Sequence, residues 1–406
     1  MITRKHRYTI LLLCCLFFFS LGTSVAAYGP LLPELALLNQ VSLTAIGGLY
    51  TFYFLGALFG QFISGPLSDR VGEKPLLLGS ALLLTACFAA LPYSANFALS
   101  MTLFTLIGLG AGGIVLTANI LVARVFARRS VSALNLLNLF FGLGAFFSPA
   151  LVGYAIERFG QGRMILWLVC GLVAIQFLLF FPLRIPPRPV EENAEAGGFG
   201  SLLRSRLIWL LAALLLLYVG VESGLGGWIT VHMNRTTPLS LETAALAASG
   251  FWLALTIGRL VTVWLGMRLS GMRILAFSMG GALAGSLLLV LGIGSIPLSA
   301  AGVLLTGFSF GSIFPSVVSL TGSAFPAQPG KAMTIVNGMA SIGAMVLPWL
   351  QGILLNNVSP LASTLLTLSG VILMSLLLAA VRPLYGQMPG EVRVALASKE
   401  KPAINA

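Results

Sequence analysis

Two charged side chains stand deep inside apolar stretches of this 406-residue chain, Glu222 and Arg259, and chemistry should be sought there first. A charged side chain at the middle of a bilayer costs about 2.5–3.5 kcal/mol on insertion scales, so Glu222 is expected to face a cavity or to be protonated. Two roles suit it: accepting hydrogen bonds from a ligand's hydroxyls, or holding a coupling cation. A structural acid that bonds neighbouring helices is the plainer reading. Counting along each helix puts Arg259 about 10 Å below Glu222, which predicts no direct pair. Arg259 would then snorkel, bond carbonyls at an inner gate, or touch a ligand.

The uncharged polar set is larger. Thr117 and Asn119 share one apolar run, Asn135 and Asn138 the next, and Asn337 and Ser341 a later one, while Ser309, Ser312 and Ser316 step along a run at near-helical spacing. Trp228 and Trp252 flank the expected outer cavity, and Tyr28 and Tyr53 lie in the first two runs. Each hydroxyl of a dehydrated polyhydroxyl ligand needs a partner, and its C–H face packs on rings. The candidate ligand contacts are therefore Glu222, Trp228, Asn119, Thr117, Asn138, Asn337, Trp252, Tyr28 and Ser312. Taken singly, such residues more often join helices or sit in an interfacial belt. Asn138 and Asn337 occupy matching places in a repeat and rank below Glu222 and Trp228 for that reason.

Other chemistry finds no footing. His6 and His232 are the only histidines, too sparse for a zinc site or a catalytic relay, so neither a metal nor an enzyme is expected. No Gly-rich phosphate loop of the G-x-x-x-x-G-K-[ST] kind occurs, and no cofactor is expected. Cys14, Cys15, Cys87 and Cys170 lie inside apolar runs and read as small packing residues. The net charge of +12 comes from Lys and Arg at alternate ends of apolar runs, a pattern set by membrane topology and not by nucleic acid.

The elements that must position these residues are membrane helices. With 58% of residues hydrophobic and 8% charged, the chain lies far from a soluble domain, and it lacks the alternating ten-residue stretches of a β-barrel. Apolar runs over 8–28, 43–67, 74–93, 97–123, 131–156, 163–183, 206–231, 242–267, 272–292, 295–323, 332–356 and 359–381 predict twelve spans. The N-terminal run could pass for a cleaved signal segment ending at Ser24–Ala27; its counterpart deep in the chain makes it the first span. Of the 23 Lys and Arg residues, all but Arg158, Arg163, Arg235 and Arg259 fall on one side, which predicts both termini in the cytoplasm.

The runs repeat. At an offset of 199, Gly108 pairs with Gly307, Gly112 with Gly311, Asn138 with Asn337, Gly144 with Gly343, Pro149 with Pro348 and Gly153 with Gly352. At 198, Gly22 pairs with Gly220, Gly60 with Gly258 and Arg70 with Arg268. The expected fold is an all-α membrane protein of twelve transmembrane helices in two six-helix repeats, with a ligand site near the midplane. The domains would be 1–185, a cytoplasmic linker over 186–205 rich in Pro and Glu, 206–384, and a tail over 385–406.

Between the second and third runs stands Gly65-Pro66-Leu67-Ser68-Asp69-Arg70-Val71-Gly72-Glu73-Lys74-Pro75. Gly72 permits a tight turn, while Arg70 and Lys74 hold the cytoplasmic side. This segment resembles the G-x-L-x-D-R-x-G-x-K/R-P signature of the major facilitator superfamily. The resemblance implies that Gly65, Asp69, Arg70, Gly72 and Lys74 act in conformational switching, with Asp69 latching near Lys331–Met333 in an outward-facing state. Ser132–Ala145, Tyr218–Gly224 and Gly227-Trp228 are similar to the fucose-permease branch and its sodium–glucose relatives. That branch's proton-linked member has acids where Gly29 and Val115 stand here, and Phe104 replaces the superfamily's fourth-span arginine, so proton coupling is not implied.

The resulting expectation is a secondary transporter that moves a small polar solute, a sugar by the branch resemblance, by alternating access in a cell (inner or plasma) membrane. The coupling ion would be a proton, sodium or none, and the expected partners are substrate and lipid, with a monomer as the working state. The alternative is an exporter of amphipathic drugs or lipids. Gly144-x-x-x-Ser148-Pro149-x-x-Val152-Gly153 supports it, approaching a drug-antiporter pattern.

Overall fold

The computed structural model describes residues 4–126, 130–185, 200–266, 268–326 and 328–386. In order, the spanning helices are α1 Arg4–Leu38, α2 Leu49–Val71, α3 Glu73–Ala90, α4 Phe97–Val125, α5 Ser130–Phe159 and α6 Met164–Phe180. Then come α7 Arg206–Thr236, α8 Leu241–Gly266, α9 Gly271–Leu291, α10 Ile296–Ala324, α11 Pro329–Ile353 and α12 Pro360–Gly386. Eleven of these regions are long and apolar enough to cross a membrane, and α6 is a shorter apolar helix. The all-α, twelve-helix expectation holds. Hydrocarbon offers backbone groups no partner, so each apolar run closes its hydrogen bonds within itself.

The departures are local. Helix α1 runs through Pro30 and Pro33 to Leu38, past the expected end at residue 28; Gly29–Leu32, Leu35 and Ala36 are buried, and buried backbone groups need partners that the helix supplies. Helix α10 breaks at Gly311–Ser312 between segments Ile296–Phe310 and Ile313–Ala324. Helix α11 ends in a turn of π-helix over Leu354–Val358. A short helix, Leu43–Gly47, precedes α2 and is capped by Ser42, whose Oγ accepts from Ala45 N at 3.1 Å. The expected linker falls largely at 186–199 and the tail at 387–406, outside the described residues.

The repeated glycines mark the helix crossings. A Cβ at Gly22 of α1 would fall on the Phe141 carbonyl of α5, and one at Gly144 on the Phe19 carbonyl of α1. In the second repeat a Cβ at Gly220 of α7 would lie 2.7 Å from the Gly343 carbonyl oxygen of α11, and one at Gly343 would meet the Leu216 carbonyl. The same holds for α2 against α4 (Gly60 on Leu109, Gly112 on Ala57) and for α8 against α10 (Gly258 on Phe308, Gly311 on Leu255). Small residues let two backbones approach closely, which is how helices gain dispersion contacts where water provides no driving force. The sequence repeat is thus a repeat of crossings.

Contacts divide the chain into two compact units. One comprises Met1–Glu192, Gly224–Leu253 and Pro348–Pro360; the other comprises Asn193–Ser223, Ala254–Leu347 and Leu361–Ala406. The division cuts α7, α8 and α11, so one end of each of these second-repeat helices packs with the first repeat inside a single unit. The core of the first unit includes Phe17, Tyr28, Phe88, Phe104 and Phe180. Cys14, Cys15, Cys87 and Cys170 are free thiols, buried as packing residues.

Candidate functional site

Within the second unit, Glu222 of α7 and Arg259 of α8 meet. Arg259 Nη2 lies 3.4 Å from Glu222 Oε1, with side-chain exposures of 24% and 10%. The sequence count had predicted no direct pair. Axial counting ignores the lateral reach of a Glu and an Arg side chain, and it assumes that the two helices stand at the same level. The close α8–α10 crossing holds the Arg259 backbone in place, since a Cβ at Gly311 would stand 2.6 Å from Arg259 N. One turn before Glu222, Tyr218 is fully buried, and its hydroxyl donates to the Phe310 carbonyl at 3.0 Å. Phe310 is the last residue before the break in α10, where a helix end leaves carbonyls unpaired. The separation of 3.4 Å exceeds the 2.7–2.9 Å of a tight charge-assisted bond. With both groups ionised, the pair carries no net charge within the span.

Ser312 sits beside this cluster but is engaged elsewhere. It donates to the Ser309 carbonyl at 3.0 Å and shares a short hydrogen bond with Ser278 of α9. Asn337 of α11 is exposed, and its own carbonyl accepts from Ser341 Oγ at 3.2 Å.

The first unit gathers the aromatic candidates at the end remote from the Gly72 turn. Trp228 of α7 is completely buried, and its Nε1–H donates to the Pro348 carbonyl of α11 at 2.8 Å. The Gly227 carbonyl would lie 2.6 Å from a Cβ at Gly29 of α1, and the Tyr50 hydroxyl of α2 would lie 2.7 Å from a Cβ at Gly227. Tyr28 is fully buried among Phe104, Tyr53 and Tyr50, at ring-centroid distances of 4.7, 5.8 and 6.4 Å. Trp252 of α8 is 6% exposed and stands edge-on to Phe141 at 6.4 Å. Thr117 is fully buried, with no hydrogen-bond partner for its hydroxyl among the described residues, and Asn119 is half-buried. Asn138 is exposed and bonds back to the Leu134 carbonyl at 3.1 Å.

Hydrogen bonds made by side chains rim the same end. Thr44 Oγ1 donates to Asn357 Oδ1 at 2.7 Å, Arg235 Nη1 to the Leu355 carbonyl at 3.1 Å, and Ala150 N to Ser249 Oγ at 3.0 Å. Every member of the antiporter-like pattern for which a contact can be given serves packing. Gly144 meets α1, Ser148 donates to the Thr23 carbonyl at 2.6 Å, and a Cβ at Gly153 would stand 2.6 Å from the Glu242 carbonyl oxygen.

At the opposite end, Gly72 has φ 82° and ψ 168°, a conformation that only glycine adopts easily, and it makes the turn from α2 to α3. Glu73, 3% exposed, pairs with Arg124 of α4 at 2.9 Å. Lys74 Nζ stands 5.8 Å above the Phe181 ring, and Arg70 is exposed. Gly65 lies within α2, and the Asp69 side chain is outside the described residues.

Sequence reasoning missed Glu73–Arg124, Tyr50, Gly47, Thr44 and Asn357. A signal existed for one further residue, Gly352, as the repeat counterpart of Gly153. The polar pairs had none, because their partners lie far apart in sequence.

The family model of the Major Facilitator Superfamily matches residues 12–291 and 221–403. A gentisate transporter of Corynebacterium glutamicum is 25% identical over 352 residues, covering 82% of this chain and 78% of that protein. Sodium-dependent glucose transporter 1 of Danio rerio is 26% identical over 390 residues, covering 87% of this chain; the chain spans 65% of that relative's length. The crystal structure of the E. coli fucose:proton symporter FucP superposes with a TM-score of 0.66 at 19% identity, covering 93% of this chain and 99% of that one. With matching segments that span nearly its whole length, and with the repeated crossings and the Gly72 turn in place, the chain belongs to the Major Facilitator Superfamily.

Proposed function

We propose that this transporter carries a sugar or a similar polyhydroxylated solute by alternating access, its two six-helix halves rocking about a midplane site. The observation that carries the reading is the Glu222–Arg259 pair with Tyr218 one turn away, a charge-neutral polar centre inside a spanning helix. A carboxylate and a guanidinium offer acceptors and donors to vicinal hydroxyls without leaving a net charge in the membrane. Kinship with proteins named for glucose and fucose supports the same substrate class. The halves are 1–185 and 206–384, joined by the 186–205 linker and followed by the tail over 385–406. The bias of Lys and Arg supports a cell membrane location with the termini and the Gly72 turn in the cytoplasm, which makes the Trp228 end the outer one.

The remaining candidates are Thr117, Asn119, Asn138, Asn337, Trp252 and Tyr28, with the switch assigned to Gly65, Asp69, Arg70, Gly72 and Lys74. A coupling proton or sodium would act at Glu222, where neutralising the carboxylate releases Arg259. The working form is a monomer in lipid.

Thermal unfolding of the detergent-purified protein with hexoses, deoxyhexoses, aromatic acids and lipophilic cations tests the reading. Ligand at a hundred times its dissociation constant adds about 2.7 kcal/mol to folded-state stability. Stabilisation by a sugar, lost in Glu222→Gln, is expected. Stabilisation by lipophilic cations alone would overturn it in favour of an amphiphile exporter. Stabilisation by aromatic acids alone would assign Arg259 to a carboxylate.

A further inference from the structure

Trp228 combines three features. Its indole is completely buried, its one donor is spent on the Pro348 carbonyl at 2.8 Å, and its six-membered ring packs against two glycines. A Cβ at Gly47, the last residue of the short helix before α2, and a Cβ at Gly352 of α11 would each fall on Cζ2 of the ring. The ring thus fills a socket whose walls are backbone from the first repeat and from the second. With the ring completely buried, no surface of it is open to a ligand. A sugar platform needs an open ring face and a free polar edge, and Trp228 offers neither.

The same socket joins elements that a rocking carrier has to separate. Helix α1 meets α7 at Gly29 and Gly227, the α2 entrance meets α7 and α11 at the indole, and Thr44 bonds Asn357 at 2.7 Å across the rim. Apart from one N–H bond, the indole is held by van der Waals contacts, those with Gly47 and Gly352 among them, which are lost on withdrawal without stranding a charge.

We propose that Trp228 is the removable plug of the outer gate: its seating in the Gly47–Gly352 socket holds the outer side shut, and its withdrawal opens it. The inference rests on the transport reading but not on the identity of the solute. It assigns Trp228 to the gate equilibrium and removes it from ligand contact. Substitutions there change how often the outer side opens and leave intrinsic affinity in place.

The experiment needs no substrate. Leu355, 2% exposed beside the rim, is replaced by cysteine after Cys14, Cys15, Cys87 and Cys170 have been changed to serine or alanine. Its reaction with a membrane-impermeant maleimide is timed in right-side-out vesicles, with Tyr93→Cys, at a site 74% exposed, as a separate reporter of intact folding. Gly47→Ala and Gly352→Ala each push a methyl group into the socket and are expected to speed Leu355→Cys labelling tenfold or more, with labelling at Tyr93→Cys unchanged. Trp228→Phe keeps a ring but loses the N–H donor, and is expected to speed it about fivefold. If labelling stays within twofold of the parent in all three variants, the plug assignment is overturned. It is also overturned if Trp228→Phe weakens binding of a stabilising sugar tenfold at an unchanged labelling rate, which would return the indole to the ligand site. Sugar binding that persists with unchanged labelling removes this inference alone; changed labelling with no sugar binding removes only the substrate class.

Discussion

At the residue scale the most consequential contact is Glu222–Arg259, because each side chain is tolerable in a span largely through the other. Removing one partner from a buried pair costs about 3–5 kcal/mol, and the 24% exposure of Arg259 places this pair below that range. Arg259→Met is therefore expected to destabilise the protein by about 2 kcal/mol, while Glu222→Gln combined with Arg259→Met recovers most of the loss. Denaturant unfolding of the four-member cycle in detergent checks this; a double variant as unstable as the sum of the singles would show that the two side chains do not interact. The residue types were legible in the sequence, and the pair was not. Its formation depends on how far two side chains reach across a helix crossing, and the axial count holds no information about that.

At the element scale, glycine placement governs how closely the helices cross. Gly144→Ala and Gly343→Ala both force a methyl group onto a carbonyl of the partner helix, at Phe19 and Leu216 respectively. Each is expected to cost about 1–3 kcal/mol, the usual range for overpacking a tight contact. Gly79→Ala and Gly280→Ala, where a Cβ meets nothing within 4 Å, should be close to neutral or mildly stabilising. Melting temperatures of the four variants, read by fluorescence-detected gel filtration, separate the classes; similar melting for all four would refute the crossing argument. Here the sequence was informative, since a pair such as Gly144 and Gly343 recurs at a fixed offset. It did not say which helix each glycine meets. Gly352 shows the limit: its repeat partner Gly153 lies against the α8 backbone, whereas Gly352 lies against an indole.

For the whole molecule, topology is the property that the proposed cycle needs most. If both termini are cytoplasmic, a cysteine at Tyr93 is labelled by an impermeant reagent in right-side-out vesicles, and one at Arg70, exposed beside the Gly72 turn, only in inside-out vesicles. The opposite pattern would invert the assignment of inner and outer gates. The charge bias that supports this orientation is written in the sequence, because insertion responds to Lys and Arg near span ends. The Glu73–Arg124 pair adds a structural use for Arg124, which topology alone had claimed: it ties the start of α3 to the end of α4 just beyond the turn.

Hydropathy, repeat offset and the Gly65–Pro75 signature by themselves determined the class, the twelve helices and the family resemblance. The physical reason is that hydrocarbon leaves an apolar segment no choice but helix, and that close crossings demand small residues at fixed places. Tertiary structure alone decided which side chains meet. Arg259 turned from an isolated charge into the partner of Glu222, and Trp228 proved to be a completely buried ring packed against Gly47 and Gly352. Such contacts join residues far apart in the chain, and their energies depend on ångström-scale separations between helices. Local sequence specifies the helices; the distances between their side chains exist only once the helices have crossed.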